Sequence, residues 1–183
     1  MNMKEYVVLV DEHDNEIGIE EKLVAHEKAL LHRAFSIYIL SVENKVTYLL
    51  LQQRALHKYH GAGLWTNTCC SHPRPNESIL DAAARRLQEE MDMHVSLKEI
   101  GVFTYLADFP NGLYEHEIDH VLIGYQNRET LVAPNPNEVM ATRWIAWDDA
   151  LQEAEQHPEA FTPWFLQGMD CISSARARDP ELL

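Results

Sequence analysis

Arg86 and Glu90 stand four positions apart and so project from one face of any helix that holds both. The commonest use of such a pair is a solvated salt bridge of little energetic weight. Its chemical use is a carboxylate holding a divalent cation beside a guanidinium that grips the phosphate oxygens the cation bridges. Three other groups carry reactive side-chain types. His26 and His32 bracket a short apolar stretch, and Cys69, Cys70 and His72 sit in a run ending His72-Pro73 just ahead of the Arg86 segment. Glu115 and Glu117 are two apart, on one face of a strand. Singly, each has an ordinary role: a structural histidine at a helix end, a buried cysteine, a solvated acidic strand face.

The elements that must position these groups follow from periodicity and turn chemistry. Tyr6–Val10 reads as a strand, and Ala34–Leu40 with Val46–Leu51 reads as a buried hairpin around Glu43-Asn44-Lys45. The irregular stretch from Arg54 to Pro75 predicts a long functional loop. Ile79, Ala83, Leu87 and Met91 recur every four residues, predicting a helix over Ser78–Met91 with Arg85, Arg86, Glu89 and Glu90 off its apolar face. Val102–Ala107 and Leu113–Ile123 flank Pro110-Asn111-Gly112 as a second hairpin. Ala141–Trp147 predicts a further strand, helices start at Asp148-Asp149 and Pro163-Trp164, and Ala175–Leu183 is expected to fray. Strands, one central helix, more strands and C-terminal helices imply an α/β (α+β) layered fold with a mixed β-sheet flanked by helices.

Composition bounds the partners. The 183 residues, 46% hydrophobic, suit one domain over 1–183. The formal net charge is −14, from 15 basic and 29 acidic residues, which opposes binding to nucleic acid or to an anionic membrane surface. It opposes small anions too, unless positive charge is gathered locally. No apolar run reaches the length of a membrane span and no targeting layout is evident. Three cysteines, Cys69, Cys70 and Cys171, make a poor disulfide framework and point to a reduced, cytoplasmic setting. A monomer or weak oligomer is expected.

The segment Ser71–Met93 resembles the Nudix box, the loop–helix motif of enzymes that handle diphosphates. Glu77, Arg85, Leu87, Glu89 and Glu90 match its spacing. Ser71 and Asp92 stand where the box has glycines, and Arg86 stands where it has a glutamate. An arginine there removes a metal ligand and adds an anion ligand, which favours diphosphate binding over cleavage. More of the chain, from about Lys22 to Trp164, resembles the type I isopentenyl-diphosphate isomerases, a Nudix-fold family that does no hydrolysis. The marks are Leu30-Leu31-His32-Arg33-Ala34-Phe35, Arg54-Ala55-Leu56, Trp65-Thr66-Asn67, Cys70-Ser71-His72-Pro73, Arg85-Arg86, Glu115-His116-Glu117, Asn137-Glu138-Val139 and Phe161-Thr162-Pro163-Trp164. Ser71 departs from the glycine usual between that Cys and His, and Cys69 from the small or apolar residue usual before the Cys.

That resemblance implies a Nudix-like fold and a set of roles. His26, His32, His72, Glu115 and Glu117 would hold Mn2+, Mg2+ or Zn2+, a donor set that does not choose among them. Lys22, Arg54, Lys58 and Arg86 would hold the diphosphate of a small isoprenoid substrate, with Mg2+ bridging it to Glu90; no flavin is expected. Cys70, Glu117 and Tyr105 would carry protons, with Glu117 and Tyr105 preferred as donor and Cys70 on the opposite face. Moving a carbon–carbon double bond requires adding one proton to an alkene and removing another, so two acid/base groups are needed. Trp164 would lie over the cationic hydrocarbon, although a core role beside Phe161 and Phe165 accounts for it as well. Trp144 and Trp147 read as packing residues. His57, His60, His94, His116, His120 and His157 have no motif support and are expected at the surface, with His60 and His116 close enough in sequence to stand behind the site. A Nudix diphosphate hydrolase and a non-enzymatic metal-binding module are the rival readings. Arg86 and the Cys/His/Glu set weigh against the first, and the two acid/base candidates against the second.

Overall fold

The computed structural model describes residues 4–58 and 60–182. Strand β1 (Tyr6–Val10) pairs antiparallel with β2 (Glu16–Glu21), and the short helix α1 (Lys22–Glu27) follows directly. The sequence reading did not foresee β2 or α1, because neither carries a clear period. Strands β3 (His32–Glu43) and β4 (Val46–Arg54) form the expected hairpin. Asn44 and Lys45 at its tip have φ of 51° and 67°, the left-handed conformation that a two-residue loop needs to match strand twist.

The stretch from Arg54 to Pro75 is more ordered than a loop. It contains β5 (Trp65–Thr66), paired with β4, and β6 (Cys69–Ser71), paired with Phe35–Ile37 of β3. The hairpin ladder occupies β3 only from Leu40 onward, so β6 satisfies backbone groups that would otherwise be buried unpaired. Strand β7 (Lys98–Asp108) pairs antiparallel with β8 (Tyr114–Tyr125), and β8 runs parallel to β3 from His32↔Glu117 to Leu40↔Tyr125. Strand β9 (Val139–Ala146) adds to β4. The nine strands among the described residues form one mixed sheet.

Helices cover both faces, which explains the unbroken apolar run of β3. Its odd positions Phe35, Ile37 and Ile39 pack with Ala83, Leu87 and Met91 of α2 (Ile79–Met91). Its even positions Tyr38 and Leu40 pack with Ala150 of α3 (Trp147–Gln156) and with Phe165, Met169 and Ile172 of α4 (Phe165–Arg178). A Cβ on Gly168 would lie 1.9 Å from the Tyr38 hydroxyl oxygen, so only glycine lets α4 approach the sheet this closely. Trp147 opens α3 instead of ending β9, and it packs in the same core, as expected of a packing residue. The expected fraying from Ala175 is not what is seen. The helix runs to Arg178, and Ala175 and Leu182 are buried in the α4 cluster; Leu183 lies outside the described residues.

Helix α2 clarifies one departure from the diphosphate-handling motif. Ser78 caps its start by accepting from the Asp81 amide at 3.1 Å. Asp92, in the place of the motif's last glycine, takes the left-handed C-cap position at φ 53°, which Asp tolerates better than most residues. Arg85 clamps the preceding loop by two bonds to Glu77, at 2.7 and 2.8 Å. Among the described residues no helix is long and apolar enough to cross a membrane.

Candidate active site

The pairing of β3 with β8 sets the centre of the site. His32 opens β3 directly opposite Glu117 of β8, and the strand period of two puts Glu115 on the same face. Helix α1 supplies His26, and the turn after β6 supplies His72. One donor atom from each of His26, His32, His72, Glu115 and Glu117 lies within 4.8 Å of the others. The Nε2 of His26 is 3.2 Å from Glu115 Oε2; the Nε2 atoms of His72 and His32 are 2.8 and 3.4 Å from Glu117 Oε1.

The backbone fixes how these rings face. His26 Nδ1 lies 2.6 Å from the Lys22 carbonyl and His32 Nδ1 2.8 Å from that of Leu30. Each Nδ1–H donates there, so the Nε2 lone pairs face inward. His32 and His72 then bring their Nε2 atoms within 3.2 Å of each other. The inward-facing lone pairs of His26 and His32, set beside two carboxylates, leave a place for a cation between them. Burial opposes protonation of His26, but Glu115 outweighs it and raises that ring. Burial drives His72 down to about 4. Burial favours neutral Glu115 and Glu117, yet the facing imidazoles hold both carboxyls below their ordinary range. The donor chemistry therefore fits a divalent cation.

A second group surrounds Cys70. Adjacent positions on β6 face opposite ways, so Cys69 is fully buried against the α2 core while Cys70 lines the cleft. The Cys70 thiol donates to Asn67 Oδ1 at 3.0 Å, and Trp164 Nε1–H donates to its sulfur at 3.3 Å. Asn67 is held by donation of its amide to the carbonyls of Ile37 and Cys69, at 3.0 and 2.9 Å. Burial, then the charge of Asp119, pushes the Cys70 thiol up to about 12. Across the cleft, Tyr105 donates to Glu117 Oε2 at 2.7 Å and its ring lies 5.8 Å from that of Trp164.

Four cations line the same cleft: Lys22, Arg54, Lys58 and Arg86. Arg86 pairs with Glu90 and with Glu89 at 2.8 Å, so Glu90, though on the buried side of α2, is compensated. Glu138 bridges Lys58 and Arg86. The buried Nε atoms of Arg54 and Arg86 have no partner among the described residues, leaving donor capacity for an anion. Glu90 also accepts from Gln52 at 3.2 Å, so both of its oxygens are engaged within the protein.

Of the site residues expected from sequence, Lys22, Arg54, Lys58, Cys70, His72, Arg86, Glu90, Tyr105, Glu115, Glu117 and Trp164 line this cleft, His26 and His32 contact its two glutamates, and the structure adds others. Glu138 and Asn67 lie in quoted motifs without having been given a role. Asp119 continues the alternation of Glu115 and Glu117; it is 1% exposed and accepts from Ser36 at 2.7 Å, and burial, then the Glu117 charge, raises its carboxyl. His120, expected at the surface, is buried, and so is His60, which its nearness in sequence places behind the site. His120 bridges Asp14 and Glu99 at 3.0 and 2.8 Å, and His60 contacts Glu115. No local pattern marked His120.

A family profile described as NUDIX domain matches residues 30–165. Over 164 residues, the chain is 48% identical to an isopentenyl-diphosphate Delta-isomerase of Serratia proteamaculans, covering 90% of this chain and 89% of that one. Over 175 residues it is 43% identical to isopentenyl-diphosphate Delta-isomerase 2 of Aromatoleum aromaticum, covering 96% and 90%. Among solved structures, a Deinococcus radiodurans protein superposes with a TM-score of 0.73 at 16% identity, over 91% of this chain and 99% of that one. A C. elegans Ap4A hydrolase superposes with 0.57 at 19%, over 79% and 97%. The structural likenesses carry the fold alone.

Proposed function

The chain belongs to the isopentenyl-diphosphate Delta-isomerases of the NUDIX-domain family, and from that premise we infer how its cleft moves a double bond. The reaction converts isopentenyl diphosphate to dimethylallyl diphosphate, a step of isoprenoid biosynthesis. The observation that carries the assignment of roles is that Cys70 and Glu117 line one cationic cleft from strands on opposite edges of β3.

Lys22, Arg54, Lys58 and Arg86 bind the diphosphate, which anchors the five-carbon tail between the two proton carriers. Cys70 rests as a thiol and Glu117 as a carboxylate, so the first proton passes from Cys70 to the terminal methylene carbon. Glu117 then accepts the proton leaving the allylic carbon. This reverses the order preferred from sequence, because burial and the Asp119 charge favour the thiol of Cys70 while imidazoles favour the ionised carboxylate of Glu117. The tertiary cation formed between the two steps would be captured by water in an open site. The face of Trp164, 2% exposed, offers attraction of ~2 kcal/mol or more without a nucleophile. Tyr105 keeps Glu117 aimed by its hydrogen bond.

When bound, a divalent ion (manganese, magnesium or zinc) among His26, His32, His72, Glu115 and Glu117 supplies fixed charge that orients both carboxylates, and Mg2+ beside Glu90 supplies countercharge to the diphosphate. The test is incubation of the purified protein with isopentenyl diphosphate and a divalent metal in D2O. Allylic isomer carrying deuterium, without free phosphate, is expected. Release of phosphate would overturn the reading in favour of a hydrolase.

A further inference from the structure

We propose that His60 is a positioning residue of the metal centre, donating its Nε2–H to Glu115 Oε1 and so turning Glu115 Oε2 toward His26 and the cluster. The inference rests on the reading that the cluster of three histidines and two glutamates holds a cation. His60 is 8% exposed and its Nε2 is in close contact with Glu115 Oε1, whereas His26 faces the other oxygen, Oε2, at 3.2 Å. Each oxygen of Glu115 thus has its own imidazole. His60 lies outside the set of donors that lie within 4.8 Å of one another, which makes it a holder of the ligand and not a sixth ligand. Outer partners of this kind fix the orientation of a ligating carboxylate and raise metal affinity.

The path of the chain delivers the ring to this place. The loop after β4 is clipped at its base, where the Arg54 amide donates to the Leu64 carbonyl at 2.9 Å and Gly63 to Arg54 at 3.0 Å. Gly61, at φ 57°, reverses the chain immediately after His60, and a Cβ there would lie 3.2 Å from Arg54 Nε. The ring is seated between His26 and Phe109, with centroids 5.6 and 5.3 Å away. The backbone carbonyl of the same residue accepts from Arg54 Nη2 at 3.1 Å. His60 therefore touches the metal centre through its ring, while its backbone carbonyl, which no side-chain substitution removes, holds a phosphate-binding arginine whose Nη2 also lies 3.5 Å from the ring's Nε2.

The experiment compares wild type, His60→Phe and His60→Gln after removal of metal by chelation. Phe keeps the packing between His26 and Phe109 and loses the donor; Gln keeps an N–H donor. Affinity for Mn2+ and Zn2+ is measured by competition with a chromophoric chelator, and metal-free melting temperature is recorded for all three. His60→Phe should weaken metal binding ~10–100-fold, with His60→Gln recovering most of the loss at unchanged metal-free stability. Wild-type affinity in His60→Phe overturns the proposal. So does an equal loss in both variants, which would make His60 a packing residue. Absence of metal uptake by wild type would instead overturn the reading of the cluster itself.

Discussion

Removing one hydroxyl, in Tyr105→Phe, isolates the alignment of Glu117 from its charge. The Tyr105 O–H donates to Glu117 Oε2 at 2.7 Å, while Glu117 Oε1 keeps His72 at 2.8 Å and His32 at 3.4 Å. The variant therefore deletes one of three partners and leaves the ring in contact with Trp164 and Phe103, at 5.8 and 5.7 Å. A hydrogen bond to a charged group contributes ~1.5–3 kcal/mol. If that bond is needed when Glu117 takes the proton, kcat falls by about 10- to 150-fold, since ~1.4 kcal/mol is a factor of ten in rate. Tyr105 holds no phosphate, so KM should stay within about twofold, the pattern of an interaction used in the transition state alone. Burial, then the Glu117 charge, pushes the phenol well above its ordinary range, so the loss should be uniform between pH 6 and 9. Initial rates of allylic diphosphate formation against substrate concentration measure both constants. An unchanged kcat, or a rise in KM that accounts for the whole loss, would refute the argument.

Cys70→Ala should abolish turnover while diphosphate binding, measured by calorimetry, persists; Cys69→Ala should keep nearly full activity, because its sulfur is on the α2 side of β6. An equal loss in both would mean that facing on β6 does not select the proton carrier. Arg86→Glu sets a new carboxylate against Glu89, Glu90 and Glu138 and removes a phosphate ligand. KM should rise at least ~10-fold from the loss of charge-assisted bonds, and an unchanged KM would take Arg86 out of the phosphate site. Glu77→Gln tests the clamp on the loop before α2. Its bond to Arg85 lowers the Glu77 carboxyl below its ordinary 4.5, so its stabilisation is full above 4.5 and is lost as pH falls through the lowered value. The variant should melt earlier at pH 7, by an amount equivalent to ~1–3 kcal/mol, and should converge with wild type toward pH 2; a constant gap would count against the linkage.

Much of this protein is written locally. The period of four from Ile79 to Met91 gave α2, Asn44-Lys45 gave the first hairpin, and the alternation of Glu115 with Glu117 put both on one face of β8. These hold because short-range periodicity determines which side of an element a residue occupies, whatever the element later packs against. The family resemblance, and not local pattern, put forward Cys70, Trp164 and the four cations as a set. Short elements without a period escaped: β2, α1, and β5 and β6 in the presumed loop.

The tertiary structure alone decided the meeting of these groups. His26 and Glu115 are 89 residues apart and His72 and Glu117 are 45 apart, and nothing local brings them together. The parallel pairing of β3 with β8 does so, joining segments with no direct connection, and burial of both sheet faces fixes its register. The choice of Cys70 over its neighbour follows from which side of β6 the α2 helix covers. Asp119 became visible only as a side chain enclosed by others, and the contact of His60 with Glu115 only in the folded chain. Burial is a property of the packed chain: it enclosed these groups with their partners and favours the proton on Cys70, while the facing imidazoles, against burial, favour the charge on Glu117. The net charge of −14 is a sum over the whole surface, whereas the cleft gathers Lys22, Arg54, Lys58 and Arg86 in one place. Sequence thus determined which chemistry was present, and folding determined where its charges would be concentrated.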